Sequence, residues 1–211
     1  MEKIKIIHFG DSLTKCINLQ PRKSWPYLSE DILKKIFKEI ISLEVLNKGV
    51  NGDNTRKALE RMQADVQFEK PNIVTIQFGT NDSTYWMSNK GAPIVSELAF
   101  EANLIEMISR AKTFDIKQII FQTNHSFFKD RVEINGKTHN ENMQNYNQII
   151  RDVATEYRCE LIDLNKAFSD IDPKIYTFPP PDGVHLNERG CELYAQEITS
   201  VLEKAINSLK K

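Results

Sequence analysis

The fold is decided by a stretch near the start of the chain, Ile4-Lys5-Ile6-Ile7-His8-Phe9-Gly10-Asp11-Ser12-Leu13. Its first six residues are mostly apolar and branched, as in a strand that helices cover on both faces. A glycine and two polar residues follow at once. The stretch therefore predicts a buried strand that ends in a sharp, polar turn.

The same pattern recurs along the chain. Four further short apolar runs occupy residues 42–46, 73–78, 118–123 and 160–163. Helical patterns separate them, the first one around Trp25 and the others at residues 55–66, 97–113, 141–157 and 188–209. Alternating strands and helices predict a three-layer α/β/α fold with a five-stranded parallel sheet and right-handed crossovers. Because the sequence contains no repeat and no linker, residues 1–211 are predicted to form a single domain.

Composition narrows the function classes. The 28 basic and 29 acidic residues give a net charge of −1, whereas a protein that binds nucleic acid usually carries a basic surplus. Three cysteines without CxxC spacing disfavour a disulfide framework and a zinc site. No apolar run reaches the ~18 residues of a membrane span. The first residues do not resemble a signal peptide, so we expect a cytoplasmic protein with reduced thiols.

Polar residues gather at the predicted strand ends. They form four groups, Gly10-Asp11-Ser12-Leu13-Thr14, residues 47–54, Gly79-Thr80-Asn81-Asp82 and Asp182-Gly183-Val184-His185. In a parallel sheet the first three groups lie on one edge, where open α/β folds bind ligands. The fourth group precedes the last helix and can fold over that edge.

Together these residues suggest a hydrolase. Ser12 lies in a sharp turn and needs a base to act as a nucleophile. His185 is a suitable base at neutral pH, and Asp182, predicted to lie one helical turn before it, can orient the imidazole. The backbone N–H groups of Ser12 and Gly52 and the side-chain amide of Asn81 can bind a developing oxyanion.

This combination closely resembles the SGNH-hydrolase (GDSL esterase/lipase) family. Gly10-Asp11-Ser12-Leu13 matches the first block of that family, residues 47–53 the second, Gly79-Thr80-Asn81-Asp82 the third and Asp182-Gly183-Val184-His185 the fifth. The resemblance implies a flavodoxin-like sheet and hydrolysis of an ester or thioester through an acyl-enzyme on Ser12. It also implies that the reaction needs no metal and no other cofactor.

Other polar and aromatic residues are weaker candidates. Tyr85, Trp86 and His125 follow strands on the active edge, and each is a candidate for substrate contact. Asp11 and Asp82 are interpreted as structural, holding their loops through bonds to backbone N–H groups. His8 is predicted to be packed in the first strand, and His139 to be solvated beside a helix start.

Substrate identity stays open at this stage. The polar residues 80–85 and Trp86 favour a small-molecule ester with a short acyl group on a polar carrier, such as an acetylated sugar. Phe127, Phe128 and Met87 could instead line a longer acyl site, as in a thioesterase or lysophospholipase. A third alternative is a non-catalytic flavodoxin-like binding module. The sequence makes no prediction about the oligomeric state.

Overall fold

The sheet has the predicted architecture. A computed structural model describes residues 2–38 and 40–210, and its five strands form one parallel sheet in the order β2-β1-β3-β4-β5. The strands are β1 (Glu2–Gly10), β2 (Ile41–Gly49), β3 (Ile73–Gln77), β4 (Gln118–Gln122) and β5 (Glu160–Ile162). This is the strand order of flavodoxin-like folds.

Helices cover both faces of the sheet. They are α1 (Ser12–Lys15), α2 (Trp25–Phe37), α3 (Thr55–Met62), α4 (Glu97–Thr113), α5 (His139–Glu156), α6 (Leu164–Ala167), α7 (Pro173–Tyr176) and α8 (Glu188–Leu209). The buried side chains of α2 and α8 pack in one apolar cluster, and those of α3, α4 and α5 in another on the opposite face. No helix within residues 2–38 and 40–210 is long and apolar enough to cross a membrane.

The predicted long helices are present with small changes at their ends. Helix α5 begins at His139 rather than Glu141 because Thr138 and Glu141 form a capping box. Asn54 caps α3 by accepting bonds from the N–H groups of Arg56 and Lys57. The short helices α1, α6 and α7 carry no periodic pattern, since four residues make only about one turn.

The strand order creates a crevice at the point where the chain changes direction. From β1 the chain moves to β2 at one edge, and it then returns to β3 on the other side of β1. The loops that follow β1 and β3 therefore diverge, and ligands of such sheets bind between them. Ser12 follows β1, and Asn81 follows β3.

Two glycines allow α1 to lie directly against the sheet edge. A Cβ atom at Gly10 would lie 2.1 Å from the Thr14 hydroxyl oxygen, and one at Gly49 would lie 2.3 Å from the Lys15 backbone nitrogen. Real side chains do not approach so closely. Glycine at these positions therefore lets the sheet hold Ser12 at a fixed distance from β1.

Candidate active site

Ser12 is held by the bonds of the short helix that it begins. Asp11 caps α1 by accepting a hydrogen bond of 2.8 Å from the Leu13 N–H. The indole N–H of the buried Trp25 donates to the Leu13 carbonyl at 3.0 Å. Ser12 itself is nearly buried but lines an open cavity, so its hydroxyl is both fixed and accessible to a small molecule.

A chain of hydrogen bonds connects Ser12, His185 and Asp182. The Ser12 Oγ atom lies 3.0 Å from His185 Nε2, and His185 Nδ1 lies 2.9 Å from Asp182 Oδ2. Because a carboxylate only accepts, Nδ1 carries the ring hydrogen and Nε2 accepts from the Ser12 hydroxyl. This geometry allows His185 to remove a proton from Ser12.

Asp182 is positioned by a turn rather than by a helix, which differs from the prediction. Its Oδ1 atom accepts bonds from the N–H groups of Val184 at 2.9 Å and His185 at 2.8 Å, so the loop closes before α8 begins. Partial burial acts to raise the pKa of Asp182. The bonds from His185 and Val184 outweigh it and hold the pKa below its usual value, which keeps the carboxylate ionised.

His125 does not contact the cavity, so the prediction of substrate contact is corrected. Its ring is fully buried. Its Nε2 atom donates to the Val184 carbonyl at 3.0 Å, and Nδ1 accepts from the Tyr194 hydroxyl. Burial lowers the pKa of His125 to about 4, so the ring is neutral. Through its bond to Val184, His125 supports the loop that carries His185.

Asn81 connects the loops that follow β1, β2 and β3. Its side-chain nitrogen donates to the Asp53 carbonyl at 2.8 Å and, over a longer 3.3 Å, to Asp11 Oδ2. Asn81 also lines the same cavity as Ser12. Gly52 lies in the exposed turn before Asp53 and adopts a positive φ of 69°, a conformation that favours glycine.

Two buried carboxyl groups support these loops as predicted. Asp11 caps the Leu13 N–H, and Asp82 accepts from the Thr55 N–H at 2.9 Å and the Gly79 N–H at 3.2 Å. Burial raises the pKa of Asp82 to about 6. Burial, together with nearby Asp82 and Asp53, raises the pKa of Asp11 to about 8. Asp11 is therefore protonated at neutral pH and places no charge beside Ser12.

His139 is buried, so the prediction that it is solvated was wrong. Its Nε2 atom donates to the Thr80 carbonyl at 3.0 Å, directly before Asn81. Glu133, also buried, accepts from the Tyr85 N–H at 3.1 Å. These two contacts join residues 131–139 to the loop that carries Asn81. Sequence reasoning did not find Glu133, because its partner lies 48 residues away.

The cavity above Ser12 has a volume of about 280 Å³. Its walls are formed by Ser12, Thr80, Asn81, Thr84, Trp86, Lys129, Arg131, His139, Asp182, Val184 and His185. A second cavity of about 430 Å³ shares Trp86 and Arg131 with it and also contacts Tyr85 and Met87. Trp86 lines both cavities and Tyr85 lines the second one only, so both stay candidates for substrate contact.

The two phenylalanines proposed for a longer acyl site are placed elsewhere. Phe127 is buried against the rings of His125 and His139. The ammonium group of Lys174 lies 5.0 Å from the Phe128 ring. Neither ring lines the cavity above Ser12. In the part of the chain that the structure describes, no group of three or more metal-ligating side chains is arranged to hold an ion.

Comparison with known proteins decides the family. The profile of the GDSL-like lipase/acylhydrolase family matches residues 8–193. The chain belongs to this family. It is accordingly a carboxylic ester hydrolase, and the matched range contains Ser12, Asn81, Asp182 and His185.

Relatives of this GDSL-like hydrolase match most of its length. It is 30% identical to the uncharacterized lipoprotein YqeF of Bacillus subtilis, over 92% of this chain and 87% of the relative. It is 24% identical to an acetylxylan esterase of Geobacillus stearothermophilus, over 82% and 81% of the two chains. It is 26% identical to the isoamyl acetate-hydrolyzing esterase of Saccharomyces cerevisiae, over 96% and 87%.

A solved structure confirms the fold. The crystal structure of Axe2, an acetylxylan esterase from Geobacillus stearothermophilus, superposes with a TM-score of 0.74 at 23% identity. The match covers 93% of each chain. The five-stranded parallel sheet with helices on both sides is therefore an architecture already seen in a solved hydrolase.

Proposed function

We propose that this protein is a serine esterase that removes short acyl groups, acetyl in particular, from a polar carrier. The observation that carries the proposal is the hydrogen-bonded chain from Ser12 through His185 to Asp182, which opens into a small cavity. In this proposal Ser12 is the nucleophile, His185 the general base and Asp182 the residue that orients it.

The reaction proceeds in two half-reactions. Ser12 Oγ attacks the acyl carbonyl while His185 Nε2 takes its proton, giving a tetrahedral intermediate. His185 then gives that proton to the leaving alcohol oxygen, and the acyl group stays on Ser12. Water repeats the sequence against the acyl-enzyme and releases the carboxylic acid.

In this proposal the Ser12 N–H and the Asn81 amide, both in the cavity wall, stabilise the oxyanion. Gly52, the third predicted donor, is exposed and does not line that cavity, so its N–H stays a prediction. Asn81 already holds the Asp53 carbonyl with a short bond. Its longer bond, to Asp11, is the one that gives way to the oxyanion. Because Asp11 is protonated at neutral pH, no carboxylate charge at that position opposes the negative charge on the intermediate.

A short acyl group follows from the size of the cavity and from the relatives. Drug-sized ligands occupy cavities of about 300–1,000 Å³, so the volume of about 280 Å³ above Ser12 favours an acetyl group with part of its carrier. Two of the relatives are named for acetyl esters whose alcohols differ, one a polysaccharide and one a small branched alcohol. The shared part is acetyl. Of the three residues considered for a long acyl site, Phe127, Phe128 and Met87, none lines the cavity above Ser12, and only Met87 lines the neighbouring one.

A chain-length series tests this proposal. We expect kcat/KM for 4-nitrophenyl esters to be highest for acetate and to fall as the acyl chain lengthens. Thr84 lines the cavity. Thr84→Ala enlarges the cavity and should shift the optimum toward longer acyl chains. Prior incubation with EDTA should leave the rate unchanged. A maximum at a long acyl chain, or a loss of activity that one added metal restores, would refute the proposal.

A further inference from the structure

The cavity above Ser12 is more basic than the rest of the molecule. The chain carries a net charge of −1, but the charged residues in the cavity wall are Lys129, Arg131 and Asp182. The Asp182 carboxylate is hydrogen-bonded to His185. In that cavity the charges left to meet a substrate are therefore both positive, and they lie on one wall. The neighbouring cavity adds one carboxylate, that of Glu133.

Residues 129–133 form that wall. Lys129 and Glu133 are held by hydrogen bonds to other loops, and Arg131 lies between them. At one position the Lys129 N–H donates to the Gly183 carbonyl at 2.9 Å, and the Lys129 ammonium donates to the Pro181 carbonyl at 2.7 Å. At the other, Glu133 accepts from the Tyr85 N–H. Residues 129–133 thus connect the loop of Asp182 to the loop of Asn81, and Arg131 lies midway between the two contacts.

Arg131 has its backbone fixed and its guanidinium available. Its carbonyl accepts from the His139 N–H at 3.0 Å. Among the described residues its guanidinium has one partner, Glu133 Oε1 at 3.5 Å, which is long for a charge-assisted bond. The Arg131 side chain is 56% exposed. Most of its donors therefore face solvent in the cleft.

Arg131 and Trp86 stand where the two cavities join. Both residues line the cavity above Ser12 and the neighbouring cavity of about 430 Å³. Trp86 is 55% exposed, and an exposed indole is suited to pack against the apolar side of a sugar ring. A guanidinium offers a planar fork that matches a carboxylate. An aromatic plane beside that fork is suited to a sugar unit bearing a carboxylate.

We propose that Trp86 and Arg131 form a carrier subsite, in which Trp86 packs against a saccharide unit and Arg131 binds a carboxylate on it. Lys129 adds to the positive potential of the same wall. The inference rests on the proposed function, and it specifies the carrier as an O-acetylated saccharide with an acidic unit. A neutral acetylated sugar would leave Arg131 with its long contact to Glu133 alone.

A matched pair of substrates tests the subsite. The probes are monoacetylated methyl glucoside and monoacetylated methyl glucuronoside, which differ only in the group at C6. We expect kcat/KM to favour the glucuronoside by about 10- to 100-fold, the range set by charge-assisted hydrogen bonds, and this ratio to shrink as salt is added. In Arg131→Gln the ratio should fall close to one. Lys137→Gln is the control, because Lys137 is an exposed cation that lines neither cavity.

The outcomes separate the subsite from the proposed function. If the wild type hydrolyses 4-nitrophenyl acetate but treats both sugars alike, the subsite is refuted and the esterase stands. A preference that survives in Arg131→Gln also refutes the subsite. If the wild type hydrolyses neither 4-nitrophenyl acetate nor either sugar, the proposed function fails and the subsite fails with it.

Discussion

The Nε2 atom of His139 lies 3.0 Å from the carbonyl oxygen of Thr80, the residue directly before Asn81. The bond is buried and links α5 to the loop that follows β3. Burial keeps the pKa of His139 below its usual value, so the ring remains a neutral donor. The contact fixes the peptide between Thr80 and Asn81, and Asn81 lines the same cavity as Ser12.

Replacing His139 should therefore impair catalysis more than binding. We expect His139→Ala to lower kcat for an acetyl ester severalfold or more with little change in KM, because the Asn81 amide loses its fixed position. Val153→Ala is the control, since Val153 lies in the core on the same helix away from the cavity. If both variants lose thermal stability and neither loses kcat, His139 is a packing residue only.

Asn81 itself should act on the transition state. Removing one oxyanion donor commonly costs ~10²–10³ in kcat, and we expect Asn81→Ala to fall in that range with KM nearly unchanged. Asn81→Asp should be at least as slow, because a carboxylate would repel the oxyanion. Steady-state kinetics and a melting curve distinguish the roles. A lower melting temperature with kcat within a few-fold of the wild type would make Asn81 a turn residue.

Asp182→Asn should reduce kcat by ~10³–10⁴ through loss of the correct imidazole tautomer. The asparagine oxygen can still close the turn onto Val184 and His185, so the fold should persist. Asn18→Ala is the comparison. Asn18 is exposed and donates at 3.2 Å to Asp182 Oδ2, the oxygen that also accepts from His185 Nδ1. Its loss should cost less than the ~10-fold equivalent to one ordinary hydrogen bond. Equal effects of the two substitutions would contradict an orienting role for Asp182.

Asp11 should make stability fall between pH 3.8 and about 8, and rate fall above about pH 8. Its folded pKa of about 8 lies above its ordinary value of 3.8, so the native state holds a proton that the unfolded chain releases. The stability that this proton provides is complete below pH 3.8 and is lost as the pH rises through about 8. Ionised Asp11 would also oppose the oxyanion, so kcat should fall above that pH.

Asp11→Asn isolates this effect. The variant keeps the acceptor for the Leu13 N–H but cannot ionise. Its melting temperature should therefore vary less between pH 3.8 and about 8, and its kcat should vary less above about pH 8. Asp170→Asn, at an exposed carboxylate, should retain the wild-type profile. Identical pH profiles for Asp11→Asn and the wild type would show that Asp11 does not titrate in this range.

Sequence patterns predicted the parts of this molecule that depend on neighbours along the chain. The five strands and five long helices follow from apolar periodicity, and their ends moved by only a few residues. Asp182 and His185 are three residues apart, and Ser12 begins α1 two residues after the end of β1. Ser12 and Asn81 meet because the carboxyl ends of parallel strands share an edge. Asp182 and His185 lie in the loop before α8, which folds over that edge.

Contacts between distant loops could not be predicted in this way. His139 and Thr80 are 59 residues apart, and His125 and Val184 are also 59 apart. The path of residues 124–139 decides both contacts, and no periodic pattern records that path. A histidine beside a helix start is ambiguous until the loop that covers it is known. The sequence alone therefore placed His139 in solvent and His125 in the cavity.

Covalent labelling at Ser12 tests the central claim most directly. The native enzyme is treated with a fluorophosphonate, digested and examined by mass spectrometry, and Ser12→Ala is assayed beside it. We predict one phosphonyl adduct on Ser12, no labelling in Ser12→Ala, and a kcat lower by ~10⁴–10⁶, as for other triad knockouts. Label on another serine, or full esterase activity in Ser12→Ala, would contradict the account.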